Sequence, residues 1–162
     1  MGCHITRNHK AREVKIDQQL YVESIAETLD VKGSKIPTMS GVPTLSKPDV
    51  PRNLEEKEEM RKFPYREAMG ALMWTATMTR ADIASAVRAV ARFCENPGLA
   101  HKKSVMKILQ YLLRMKDWGI IYGEQGCGLC MEAYTYSYFG ACLDMRRSVS
   151  GVVLMLATGA IS

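Results

Sequence analysis

Cys127 and Cys130 stand in a C-x-x-C spacing, the pattern of half a zinc site or of a redox pair. A structural zinc ion needs four ligands, and no second pair follows. The three histidines, His4, His9 and His101, lie far off in the chain. The pair therefore reads as a turn ahead of a strand, and no metal site is expected. Cys3, Cys94 and Cys142 bring the cysteines to five, an odd count without framework spacing, which points to a reducing compartment. The other chemistry the residue types offer is electrostatic. Between His101 and Lys116 stand Lys102, Lys103, Lys107, Arg114 and Lys116 with no acid, and these five charges equal the net charge of +5. A basic helix of this kind tracks phosphates, or else serves as a solvated face. Glu55, Glu56, Glu58 and Glu59 form an acidic counterweight around Lys57.

The 162 residues suffice for one domain or two small ones, and a chain of this size can bury roughly 70% of its unfolded surface. Apolar residues make up 47% and charged residues 24%, which excludes disorder throughout. The longest apolar run, Val152 to Ala157, falls far short of the ~20 residues of a membrane span. No apolar segment of a secretory signal stands at the N-terminus. The expected location is intracellular, cytoplasmic or nuclear. Eleven methionines against three phenylalanines suggest a helix-rich core.

Ile5 to Asp17 reads as two short strands around a turn at Arg7-Asn8-His9-Lys10, with Val14 and Ile16 alternating against Lys15 and Asp17. Asp17 can cap a helix over 18–29, whose Val22, Ile25, Ala26 and Leu29 fall on one face. The stretch from Val31 to Asn53 holds Pro37, Pro43, Pro48 and Pro51, four of the six prolines, and reads as an extended linker. Three helices are predicted over 64–116. The first has Pro64 in its first turn and a stripe of Tyr65, Met69, Leu72, Met73 and Ala76. The second starts at Arg80-Ala81-Asp82, carries Ile83, Val87, Val90 and Cys94, and stops at Asn96-Pro97-Gly98. The third buries Val105, Ile108, Leu109 and Leu112. Strands are expected over 119–123, 131–139 and 148–157. The fold class is α+β: a hairpin and helix, a proline-rich linker, a three-helix region, then antiparallel strands.

Several segments resemble the reverse transcriptase/RNase H portion of a copia-type LTR retrotransposon Pol polyprotein. Met1 to Arg7 resembles the L-G-x-x-I-x-R hairpin, and Ile16 to Val22 the I-S-Q-x-x-Y-I helix. Tyr65 to Trp74 resembles Y-R-x-x-V-G-x-L-x-Y, Thr79 to Ile83 T-R-P-D-I, and Arg92 to Pro97 R-F-x-x-x-P. Ile108 to Leu112 is similar to I-L-R-Y-L, Arg146 to Gly151 to R-K-S-T-S-G, and Gly159 to Ser162 to G-A-I-S. The matches run in family order over nearly the whole chain. They imply the end of the polymerase palm and thumb over 1–31, a linker over 32–54, a thumb/connection-like region over 55–117 and the start of an RNase H-like fold over 118–162.

The departures from the family bear on activity. Where the family reads G-Y-S-D-A-D-W-A-G, this chain reads Ala133-Tyr134-Thr135-Tyr136-Ser137-Tyr138-Phe139-Gly140-Ala141. Tyr136 stands at the position of the leading RNase H aspartate, and Tyr138 at the second. A phenol does not replace a carboxylate on two Mg²⁺ ions about 4 Å apart. Asp144 and Glu132 are near in sequence but match no catalytic position. The resemblance thus implies a parent that uses Mg²⁺ and a chain that holds no cofactor and no catalytic residue. The first reading is a relic, a short reading frame of a decayed retrotransposon without activity of its own. The alternative is a binding protein that keeps the parent's grip on an RNA–DNA or DNA duplex, weak and without sequence preference, through Lys102, Lys103, Lys107, Arg114 and Lys116. No membrane or small-molecule substrate is expected. An alternative is lipid anchoring, since Met1-Gly2-Cys3-His4-Ile5-Thr6 fits the myristoylation pattern and Cys3 offers a palmitoylation site. The same residues are already accounted for as the first hairpin strand.

Overall fold

The computed structural model describes residues 2–31, 51, 54–123, 130–140, 146–156 and 158–161. Most of the expected linker over 32–54 lies outside them, as do Cys127, Cys142 and Asp144. The chain divides into two compact units, one of Met1–Gly2 with Gln18–Trp118, the other of Cys3–Asp17 with Gly119–Ser162.

The first unit is helical. Helix α1 spans Gln19–Thr28, α2 Leu54–Arg61, α3 Tyr65–Met78, α4 Ala84–Ala91 and α5 Leu99–Arg114, with a 3₁₀ turn at Ala81–Ile83 leading into α4. α5 is the hub, packed by α1, α2, α3 and α4. Its apolar positions recur at helical spacing, and Val105, Ile108, Leu109 and Leu112 are all fully buried. They meet Val22, Ile25 and Ala26 of α1, Met69 and Leu72 of α3, and Ile83, Val87 and Val90 of the α4 segment in one core.

Four details of the sequence reading are corrected here. Asp17 does not cap α1; Gln18 occupies that position, and it makes no side-chain capping bond. The Asp17 carboxylate turns instead to Lys15 and to its cross-strand neighbour His4, each at 3.4 Å. Met73 is exposed, and Thr75 takes its place on the buried face of α3, its hydroxyl satisfied by the Ala71 carbonyl at 2.9 Å. Cys94 lies past the end of α4, half-buried. A further helix, α2, precedes the three expected ones. Its pattern gives little warning, since Met60 alone among its side chains is buried. Glu55 and Glu56 in its first turn and Arg61 in its last suit the helix dipole.

The second unit holds two three-stranded antiparallel sheets. In one, β1 (His4–Asn8), β2 (Glu13–Asp17) and β3 (Gly119–Gly123) lie in that order. Asn8 still pairs with Glu13, so the hairpin turn falls at 9–12, two residues later than Arg7–Lys10. The Asn8 side chain explains the shift: its Oδ1 accepts from the amides of Lys10 and Ala11 at 3.1 and 3.2 Å, and Arg12 closes the turn at φ 52°. In the other sheet, β4 (Met131–Tyr138), β5 (Val149–Leu156) and β6 (Gly159–Ala160) are adjacent in sequence order. The Tyr122 hydroxyl of β3 donates to the Ala160 carbonyl of β6, and a Cβ at Gly159 would collide with the Tyr122 ring. Among the described residues, every fully buried hydrophobic side chain belongs to the helical unit.

Candidate nucleic-acid interface

The basic residues of α5 occupy the side of the helix that the core leaves open. Lys103, Lys107 and Arg114 are exposed. At 100° per residue they fall within a narrow arc, and they span about 16 Å along the helix axis. Lys102 and Lys116 are placed differently. Lys102 is half-buried, 3.5 Å from the Glu59 carboxylate and 5.4 Å from the centre of the Phe63 ring. Lys116, beyond the helix end, binds Glu23 of α1 at 2.6 Å. That bond, with a second from Gln19, holds the Glu23 carboxyl below its usual range. Of the five expected residues, Lys103, Lys107 and Arg114 thus form an exposed stripe, and Lys102 and Lys116 flank it.

A buried polar knot fixes the C-terminal end of α5. Arg80 is only 3% exposed. Its Nε and Nη2 grip the two Asp82 oxygens at 2.9 and 2.7 Å, a bidentate pair, and Nη1 donates to the Met115 carbonyl at 2.7 Å. That carbonyl belongs to the C-cap of α5, where the peptide dipole presents partial negative charge. The guanidinium also lies 5.4 Å from the Tyr111 ring centre and 6.0 Å from that of Trp118. The Tyr111 hydroxyl donates to Asp82 at 2.8 Å. Burial alone would raise the Asp82 carboxyl, but the hydrogen bonds from Arg80 and Tyr111 outweigh it and hold the group below the usual carboxylate range. One residue earlier, the Thr79 hydroxyl donates to the buried Gln18 Oε1 at 2.8 Å, tying the start of α1 to the end of α3.

The start of α5 is set with the same economy. Gly98 caps it in an extended conformation, and its amide donates to His101 Nδ1 at 2.8 Å. The His101 ring stacks on Phe93, with centroids 4.0 Å apart. At the other end of this cluster, the buried Tyr65 hydroxyl donates to the Val90 carbonyl at 2.8 Å, and burial pushes its phenol well above the ordinary range.

The T-R-A-D-I, R-F, Y-R and Q-Y segments singled out in the sequence thus supply Thr79, Arg80, Asp82, Phe93, Tyr65 and Tyr111 as joints between helices. Apart from the Arg80–Asp82 pair, two residues apart, these bonds join elements remote in sequence, which the local pattern does not connect.

Strand β4 presents a different surface. Cross-strand pairing sets Tyr134, Tyr136 and Tyr138 opposite Val153, Gly151 and Val149, so the three phenols share one face. Tyr136 is 61% exposed. The Tyr134 hydroxyl donates to Glu132 at 2.8 Å, which raises the Tyr134 phenol. Glu132 is the one carboxylate of this strand, and phenols are poor ligands for a hard cation, so β4 does not fit a Mg²⁺ site. Among the described residues no group of three or more His, Cys, Asp or Glu side chains could hold a metal ion, and no helix is long and apolar enough to cross a membrane.

Comparison with known proteins gives this framework a lineage. The retrovirus-related Pol polyprotein from transposon TNT 1-94 of Nicotiana tabacum is 36% identical over 164 residues, an alignment that takes in 100% of this chain. Over its whole length the chain is similar to a segment of a retrotransposon Pol polyprotein. It spans 12% of the length of the tobacco polyprotein. Two further relatives are similar over parts of this chain. An uncharacterised mitochondrial protein of Arabidopsis thaliana is 32% identical over 75 residues, 46% of the chain and 67% of that protein. A protein of Plasmopara viticola, named as secreted RxLR effector protein 161, is 29% identical over 103 residues, 64% of the chain and 72% of its own length. No family model and no solved structure matches the chain.

Proposed function

We propose that this chain derives from a copia-type reverse transcriptase/RNase H polyprotein, is catalytically silent by itself, and grips a nucleic-acid duplex through α5. The observation that carries the reading is the stripe of Lys103, Lys107 and Arg114, exposed on one face of a helix whose opposite face is fully buried. Charges on so rigid a support meet phosphates without ordering a loop, and they read no base edges, so binding is weak and indifferent to sequence. On this reading the helical unit plays a thumb- and connection-like part, and β4 and β5 open an RNase H-like sheet. The silence follows from Tyr136 and Tyr138 at the positions of two catalytic aspartates. The site of action is inside the cell, in cytoplasm or nucleus.

The test is an anisotropy titration of a labelled RNA–DNA duplex with the wild-type chain and with a triple variant, Lys103→Glu, Lys107→Glu and Arg114→Glu. The wild type binds more weakly than about micromolar at physiological salt, in the range of sequence-independent contacts. The variant loses that binding. Unaltered binding by the variant removes α5 as the interface.

A further inference from the structure

Lys102 stands next to Lys103, the first cation of the α5 stripe, yet its charge is already answered within the protein. Its Nζ lies 3.5 Å from the Glu59 carboxylate of α2 and 5.4 Å from the centre of the Phe63 ring. The ring face favours the ammonium there and keeps it on the α2 side of the helix. The pair is not sealed from solvent: 30% of the Lys102 side chain and 55% of the Glu59 side chain are exposed. It is also loose. Charge-assisted N–H···O bonds close to about 2.7–2.9 Å. Lys116 comes that close to Glu23, at 2.6 Å, with Gln19 as a second donor to the carboxylate. An open pair such as Lys102–Glu59 adds little to folding stability. Its chief effect is on the field that a phosphate meets at this end of α5. Glu55, one turn before Glu59 on the same side of α2, adds to the negative charge there.

We propose that Glu59 competes with phosphate for Lys102 and thereby sets how tightly α5 grips a duplex, a role that rests on duplex binding by α5. With Glu59 in place, the ammonium is neutralised inside the protein, and Lys103, Lys107 and Arg114 carry the phosphate contacts alone. Without it, Lys102 adds a fourth contact on the α2 flank. It sits only about 1.5 Å of helix rise from Lys103, and its flexible four-carbon stem reaches round from the arc of the stripe. A carboxylate that a phosphate must displace is a built-in brake on affinity, placed at one end of the interface. Lys116 has no such part, because Glu23 holds it by a short bond to α1, beyond the end of α5.

Anisotropy titrations of a labelled RNA–DNA duplex with the full chain, over a range of salt concentrations, test this. Glu59→Gln should steepen the log–log slope from about −3 to about −4 and tighten binding about fivefold or more at about 0.1 M salt. Adding Lys102→Gln to Glu59→Gln should return the slope to about −3. Lys102→Gln alone should leave the slope near the wild-type value, since the wild type keeps this cation off the phosphates. Glu27→Gln removes an exposed acid of α1 and raises the net charge equally, so it controls for overall charge and should leave the slope unchanged. An unchanged slope for Glu59→Gln, an equal gain with Glu27→Gln, a gain that survives the loss of Lys102, or a shallower slope for Lys102→Gln alone overturns the proposal. Failure of α5 as the interface is told apart from these, because it appears as binding that the Lys103, Lys107 and Arg114 triple variant leaves unaltered, and it removes this role of Glu59 as well.

Discussion

Arg80 holds Asp82 by two hydrogen bonds of 2.9 and 2.7 Å and at the same time donates to the Met115 carbonyl at 2.7 Å. One side chain thereby links the turn before α4 to the end of α5, and with it the register of the basic stripe. Removing one partner of a buried pair leaves the other uncompensated, at about 3–5 kcal/mol. Asp82 keeps some access to solvent, with 35% of its side chain exposed, so Arg80→Ala is expected near the lower end, about 3 kcal/mol. Urea unfolding measures it. Arg80→Lys should recover only part of the loss, because an ammonium cannot span both carboxylate oxygens and the carbonyl.

The same pair sets the acid limit of stability. The folded-state pKa of Asp82 is depressed, so its contribution is fully present above the unfolded carboxyl's ordinary value and is lost as pH falls through the folded value. Stability should therefore be level down to about pH 5 and decline below it. Asp82→Asn should lower stability at neutral pH and flatten this decline. Glu23 is shifted in the same direction by Lys116 but is solvent-screened and contributes little. Urea midpoints across the acid range, wild type against variant, check the slope.

Core truncations should separate the two units. Leu109→Ala removes a fully buried side chain at the centre of the helical core and is expected to cost about 2–5 kcal/mol. Val152→Ala, on the exposed ribbon of the strand unit, should fall within about 0.5 kcal/mol of wild type. Thermal denaturation of both variants measures the contrast.

Much of this was legible in the sequence, and the reasons differ by element. Val105, Ile108, Leu109 and Leu112 announce α5 because a buried helix face repeats at a period the eye can follow. The strands at 131–138 and 149–156 were visible through their β-rich runs. Helix α2 was not, since one buried methionine makes no stripe. Nor was the pairing of β2 with β3, in which Glu13 meets Gly123 across the whole helical unit's length of chain. Local pattern carries no record of such a partner. The candidate interface divides the same way. Helical spacing foretold that Lys103, Lys107 and Arg114 share a face, whereas the capture of Lys102 by Glu59 and of Lys116 by Glu23 depends on tertiary packing.

The purified chain should show neither polymerase nor RNase H activity with Mg²⁺ or Mn²⁺. Tyr136→Asp should not restore hydrolysis, because a single added carboxylate beside Glu132 does not complete a two-metal site. Release of labelled fragments from an RNA–DNA hybrid is the measurement. Hydrolysis by the wild-type chain that is lost on mutating Asp144 would contradict the expectation.

The account's central claim is that three cations on one face of α5 grip a duplex. The salt dependence of duplex affinity tests it most directly. Three neutralised phosphates predict a log–log slope of about −3 for the wild type. Changing Lys107 alone to Gln should move the slope by about 1 toward zero, with equal effect on unrelated sequences. A slope near zero, or one that Lys107→Gln leaves unchanged, would contradict the claim.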